Sequence, residues 1–99
     1  MTPGTTPTHT FNLPISTDDV AALRSTYVQS GKIVLQKEKE DCTLRDKRVT
    51  VKLSQEDSLQ FDSNVIVRIQ LKVLTTGGDV IMSKVIKKST NIVLDKGVI

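Results

Sequence analysis

From Val65 to Leu74 apolar and polar side chains alternate without a break. Val65, Val67, Ile69, Leu71 and Val73 fall on one face, and Ile66, Arg68, Gln70, Lys72 and Leu74 on the other. A period of two predicts a half-buried strand, because successive strand side chains point to opposite sides. Thr76-Gly77-Gly78-Asp79 then closes a hairpin, and Val80 to Lys88 returns beside it. Shorter alternations precede this pair. Thr8, Thr10 and Asn12 oppose His9, Phe11 and Leu13 until Pro14 ends the run. Leu23–Val28 and Ile33–Glu40 flank Gln29-Ser30-Gly31-Lys32, where Gly31 supplies the positive φ of a tight turn. Asp41–Leu44 leads to a turn at Arg45-Asp46-Lys47, after which Val49, Val51 and Leu53 alternate with Thr50 and Lys52. The end, Asn91–Ile99, holds Ile92, Val93 and Leu94 and is read as an edge strand.

Two helical turns punctuate the strands. Ser16 caps a short one, with Asp18 and Asp19 where a helix start favours negative charge. Ser54 and Asp57 have the spacing of a capping box, which predicts one turn across Gln55–Leu59. Residues 1–7 combine prolines, glycine and threonines and are expected to form a flexible arm, leaving 8–99 as one domain. Turn signals every 8–12 residues with no long helix indicate an all-β sandwich or small barrel. Consecutive hairpins imply antiparallel pairing. The expected fold is a small antiparallel β-sandwich of immunoglobulin-like type, with about six or seven strands and one or two helical turns.

Composition narrows the chemistry. The 99 residues are 37% hydrophobic, 25% charged and 3% aromatic. That length supports one modest core and rules out a cleft between two lobes. Apolar runs such as Val65-Ile66-Val67 are far below the ~20 residues of a membrane helix. Thr, Pro and Gly follow Met1, so no secretory signal is expected. Fourteen Lys and Arg against 11 Asp and Glu give a net charge of +3. Phe11, Tyr27 and Phe61 are not interleaved with a basic cluster, so nucleic acid is disfavoured as a partner. Cys42 is alone, which excludes an intrachain disulfide, leans towards a reducing compartment and fits a small buried hydrophobe.

No catalytic set emerges. His9 is the single histidine and is expected at an edge or facing solvent, without a nucleophile to activate. One Cys and one His do not furnish a zinc site. Glu38, Glu40 and Asp41 alternate with Lys37 and Lys39, as at a solvated strand end. Gly77-Gly78 lies between strands instead of opening a helix, so it is no phosphate loop. No enzymatic activity, metal or cofactor is expected.

Binding surfaces carry more. Arg68, Lys72, Lys84 and Lys88 form a candidate basic face suited to a phosphate backbone; the bland reading is a solvated face with edge lysines. If Val67, Ile69 and Leu71 point inward, unbroken pairing places Ile81 and Val85 beside them. The other face then holds Val80 with Ile66, Leu74, Met82 and Ile86, and these last four are the candidate protein interface. Coverage by the N-terminal strand or by Ile92–Leu94, or a one-residue bulge that swaps the faces, is the competing reading.

Gly4–Phe11, Glu40-Asp41-Cys42-Thr43-Leu44, Val49–Asp57 and Leu74–Asp79 resemble a family of short proteins from phages and prophages of Gram-positive, Clostridia-type bacteria. The similarity covers nearly the whole chain, which implies a complete protein. The order of elements is also similar, at the level of fold, to the N-terminal β-sandwich domain of phage baseplate upper proteins. Leu13–Ser16 and Arg45–Arg48 depart from the more acidic, glycine-containing versions in the family. The resemblance brings no catalytic residues. It implies a virion structural protein of tail or baseplate, made in the host cytoplasm, with other virion proteins or a second copy of itself as partners and no membrane. Two alternatives stay open: a nucleic-acid or anionic-polymer binder, and a small phage inhibitor of a host protein.

Overall fold

A computed structural model describes residues 1–91 together with Leu94 and Val98. Among the described residues, eight strands form two antiparallel sheets: β1 (Thr8–Asn12), β2 (Val20–Gln29), β3 (Lys32–Glu38), β4 (Cys42–Arg45), β5 (Arg48–Lys52), β6 (Val67–Thr75), β7 (Val80–Met82) and β8 (Ile86–Lys88). One sheet has the order β1-β5-β4. The other runs β3-β2-β6, with β7 and β8 both paired to the far side of β6. This is the B-E-D and C′-C-F-G order of an immunoglobulin-type sandwich, with no counterpart of strand A among the described residues. The expected edge strand in Asn91–Ile99 rests on residues outside the described set.

Local chemistry sets the connections. Ser16 caps a 3₁₀ turn at Thr17–Asp19. Ser54 caps α1 (Gln55–Ser58), where Ser54 Oγ accepts from the Asp57 amide at 3.1 Å and Asp57 returns the bond to the Ser54 amide at 3.1 Å. A further 3₁₀ turn, Lys39–Asp41, joins β3 to β4. Ser30 and Gly31 have φ of 51° and 75°, a primed two-residue turn whose twist matches the strands it joins. Asp46 and Lys47 adopt the same conformation at 48° and 65° with no glycine, and both side chains add strain there.

The core lies between the sheets. Phe11, Val49, Val51 and Leu53 come from the three-stranded side, and Leu23, Tyr27, Val67, Ile69, Leu71 and Val73 from the five-stranded side. Phe61 enters from the loop after α1, its ring 5.7 Å from that of Tyr27 in an edge contact. Each such side chain contributes roughly 1.5–3 kcal/mol by leaving water. On the outer side of the three-stranded sheet, register places Thr8 beside Lys52, Thr10–Thr50–Thr43 in one row and Asn12–Arg48–Arg45 in the next.

Residues 1–7 lie against the sandwich, where a flexible arm was expected. Pro3 is buried. The Ser58 hydroxyl accepts from the Gly4 amide at 2.9 Å and donates to the Thr5 carbonyl at 2.7 Å. The Leu53 amide donates to Pro7 and the Asn91 amide to Met1. These partners lie more than forty positions away in sequence, so composition alone did not reveal them.

Candidate functional site

The return strand of the long hairpin is broken by a bulge. Lys72 faces Met82, whereas Ile69 faces Ile86. Between these pairs, Gln70 and Leu71 on β6 confront Ser83, Lys84 and Val85. The Ser83 amide donates to the Leu71 carbonyl at 2.9 Å, and the Leu71 amide donates to Ser83 Oγ at 2.9 Å. A side-chain hydroxyl thus takes the place of the ladder carbonyl, and the extra residue is absorbed.

That bulge corrects the expected interface. Ile86 is half-buried, packs against the core and belongs to the inner face, while Val85 points out. Leu74, Val80 and Met82 do come together: Leu74 pairs with Val80, and Met82 sits two pairs along, next on the same face. Ile66 lies eight residues from Leu74, about 26 Å along the strand, and belongs to the opposite end of the sheet. Ile66, Leu74, Val80, Met82 and Val85 are all 41–57% exposed. Neither the N-terminal strand nor any other described segment covers them. A shallow hollow of about 200 Å³ adjoins the Leu74 cluster, lined by Ala22, Leu74 and Val80 and rimmed by Arg24, Glu38 and Lys72. Arg24 Nε and Glu38 Oε1 are 2.9 Å apart across that rim; both are about half exposed, so the pair adds little stability.

The expected basic face divides. Arg68 and Lys72 lie on the outer face, and Lys84 is exposed in the bulge. Lys88 pairs with fully buried Val67, so it stands on the core side at the open edge near His9. Lys87, opposite Arg68, takes the outer position instead. One bulge residue accounts for both corrections.

His9 lies on an edge strand of the three-stranded sheet, as one expectation had it, but does not face solvent. It is buried on β1 with Nδ1 2.9 Å from the Tyr27 hydroxyl, linking the two sheets. Burial lowers its pKa, aided by the charges of Lys88 and the chain amino terminus. Burial also pushes the Tyr27 phenol up to about 12; the buried Ser25 hydroxyl beside it pulls the other way without a hydrogen bond of good geometry. Because the folded state holds His9 below its free pKa, acid favours the unfolded chain. Stability is full above about pH 6.5 and falls below it, with a slope approaching about 1.4 kcal/mol per pH unit until the folded pKa is passed. Urea unfolding at pH 7.5 and 5.5 is expected to show lower stability at pH 5.5, a loss absent from His9→Gln. An equal loss in both proteins would assign the acid sensitivity elsewhere.

The remaining candidate chemistry is structural. Cys42 is half-buried and donates to the Glu38 carbonyl at 3.2 Å; burial, then the Asp41 carboxylate, push its thiol up to about 11, which suppresses the reactive thiolate. Asp57 meets Lys37 Nζ at 2.8 Å and ties α1 to β3. Partial burial opposes its ionisation, but the hydrogen bonds from Lys37 and Ser54 and the Lys37 charge hold its carboxyl below the usual range. Among the described residues no three His, Cys, Asp or Glu side chains gather to hold a metal, and no helix is long and apolar enough to cross a membrane. No protein-family model, curated protein or solved structure matches the chain.

Proposed function

We propose that this chain is a non-enzymatic structural subunit of a phage virion, in the tail or baseplate, which docks on neighbouring virion proteins through the outer face of its five-stranded sheet. The observation that carries the docking is the exposed cluster of Leu74, Val80 and Met82 on paired, regular strands. Apolar side chains side by side on a rigid sheet lose little entropy on contact and gain by leaving water. The virion setting is supported by the resemblance of the segments around Glu40–Leu44, Val49–Asp57 and Leu74–Asp79 to phage proteins.

Leu74→Asp with Met82→Asp tests the docking. Both side chains already face solvent, so the β circular-dichroism spectrum is expected to persist, with a melting temperature within about 4 °C of the parent. Binding to the neighbouring phage gene products, followed by size exclusion with light scattering, is expected to weaken roughly a hundredfold. Undiminished binding by the double variant would remove this face from the function.

A further inference from the structure

We propose that the outer face of the three-stranded sheet binds an acidic glycan, a sugar polymer bearing sulfate, phosphate or carboxylate groups. This face is directed away from the docking cluster, and its chemistry is the opposite. The rows Thr10–Thr50–Thr43 and Asn12–Arg48–Arg45, with Lys52 beyond them, expose hydroxyls, an amide and cations. No apolar side chain and no carboxylate occupies an outward strand position there. Phe11, Val49 and Val51 take the inward positions of the same strands.

Two local penalties meet at the end of this face. Arg45 and Arg48 are directly opposite across the β4–β5 ladder, an unfavourable pairing of like charges. The turn that joins them holds Asp46 and Lys47 at positive φ without glycine. Asp46 lies 3.5 Å from Arg45, but both side chains are almost fully in water, so that contact is weak. None of the ion pairs among the described residues includes Arg48. An oxyanion between the two guanidinium groups would turn their repulsion into charge-assisted hydrogen bonds. A hollow of about 380 Å³ lies there, lined by Thr43, Arg45, Asp46, Arg48 and Thr50. That is within the range of small-ligand sites.

The pattern favours a sugar polymer over nucleic acid. Stacking platforms for bases need exposed aromatic rings, and Phe11, Tyr27 and Phe61 are all in the core. Threonine hydroxyls and the Asn12 amide both donate and accept, as a hydroxyl-rich partner requires. Arg48 and Lys52 stand about 13 Å apart along β5, so successive anionic groups of one chain reach both.

The test uses a fluorescent heparin octasaccharide, with polyuridylic acid as the nucleic-acid probe, at about 50 mM and about 200 mM salt. Arg48→Glu replaces the like-charged pair with an opposite one, so the hairpin is retained. Lys32→Glu, exposed on β3 of the other sheet, changes net charge equally and serves as the control. Arg48→Glu is expected to weaken heparin binding roughly tenfold, and Lys32→Glu less than about twofold. Thr43→Val with Thr50→Val, which leaves charge unchanged, is expected to weaken it about fivefold. Four results would overturn the proposal: no heparin binding by the parent at low salt, equal effects of the two charge reversals, indifference to the threonine changes, or tighter binding of polyuridylic acid.

Discussion

Tyr27→Ala is expected to destabilise the domain by about 4 kcal/mol, a large share of the roughly 5–15 kcal/mol that holds such a domain folded. Tyr27 is fully buried near the C-terminal end of β2, paired with Leu35 on one side and Ile69 on the other. Its ring receives Phe61 at 5.7 Å and His9 at 5.5 Å, and its hydroxyl meets His9 Nδ1 at 2.9 Å. Truncation therefore opens a cavity touching both sheets and leaves a buried imidazole without its partner. Tyr27→Phe separates the two effects, because it keeps the ring and removes the hydroxyl, and is expected to lose about 1–2 kcal/mol. Urea unfolding followed by circular dichroism is the suitable measurement, since Tyr27 is the sole tyrosine and the chain has no tryptophan. A loss below about 2 kcal/mol for the alanine variant would show that the ring is not the centre of the core.

Gln29→Ala is expected to lose about 3 kcal/mol without removing much apolar surface. The buried Gln29 amide donates to the Asp62 carbonyl at 2.9 Å and the Val65 carbonyl at 3.1 Å, and accepts from the Asp62 amide at 2.8 Å. Thr90 closes the same loop from the other side. Its hydroxyl accepts from the Val65 amide at 2.9 Å and lies 2.9 and 2.8 Å from the Asp62 and Val65 carbonyls. Between these clamps Asn64 adopts a φ of 62°, which asparagine tolerates better than most residues. Losing the Gln29 amide strands several backbone groups at once. Thr90→Val is expected to lose about 1.5 kcal/mol, and the double variant less than the sum, because both act on one loop. Hydrogen exchange at Asp62 and Val65 should accelerate in each variant. Unchanged exchange in Gln29→Ala would mean that the loop is held by other contacts.

Much of the sandwich is legible in the sequence, for a specific reason. β6 lies between β2 and the hairpin return, with one face on the core, so its alternation is long and clean. β1 and β5 show the same pattern over shorter spans, and Ser16 and Ser54 announce their turns through their own hydrogen bonds. What escapes is whatever depends on a single position or on distant partners. The phase of Val85 and Ile86 turns on one residue at Ser83, and no periodicity in Val80–Lys88 marks it. The placement of His9 depends on Tyr27 across the sandwich. Pro3 is buried because Ser58 and Leu53 receive the chain around it. The rows of threonine and arginine exist only once β1, β4 and β5 are in register, since their members are scattered between residues 8 and 52.

The Ser83 bulge also governs what the molecule refuses to do. A sheet border with every amide and carbonyl free is a template on which further copies can stack. Here that border is cut into two three-residue pieces, and the carbonyls at the break are occupied, that of Ser83 by the Gln70 side-chain amide and that of Lys84 by the Ser83 hydroxyl. Deleting Lys84 would leave two residues facing two, keep Ile86 opposite Ile69 and fuse β7 with β8 into one uninterrupted rim. The smallest possible change in chain length would then convert a guarded border into a seed for fibres, although every core residue stayed in place.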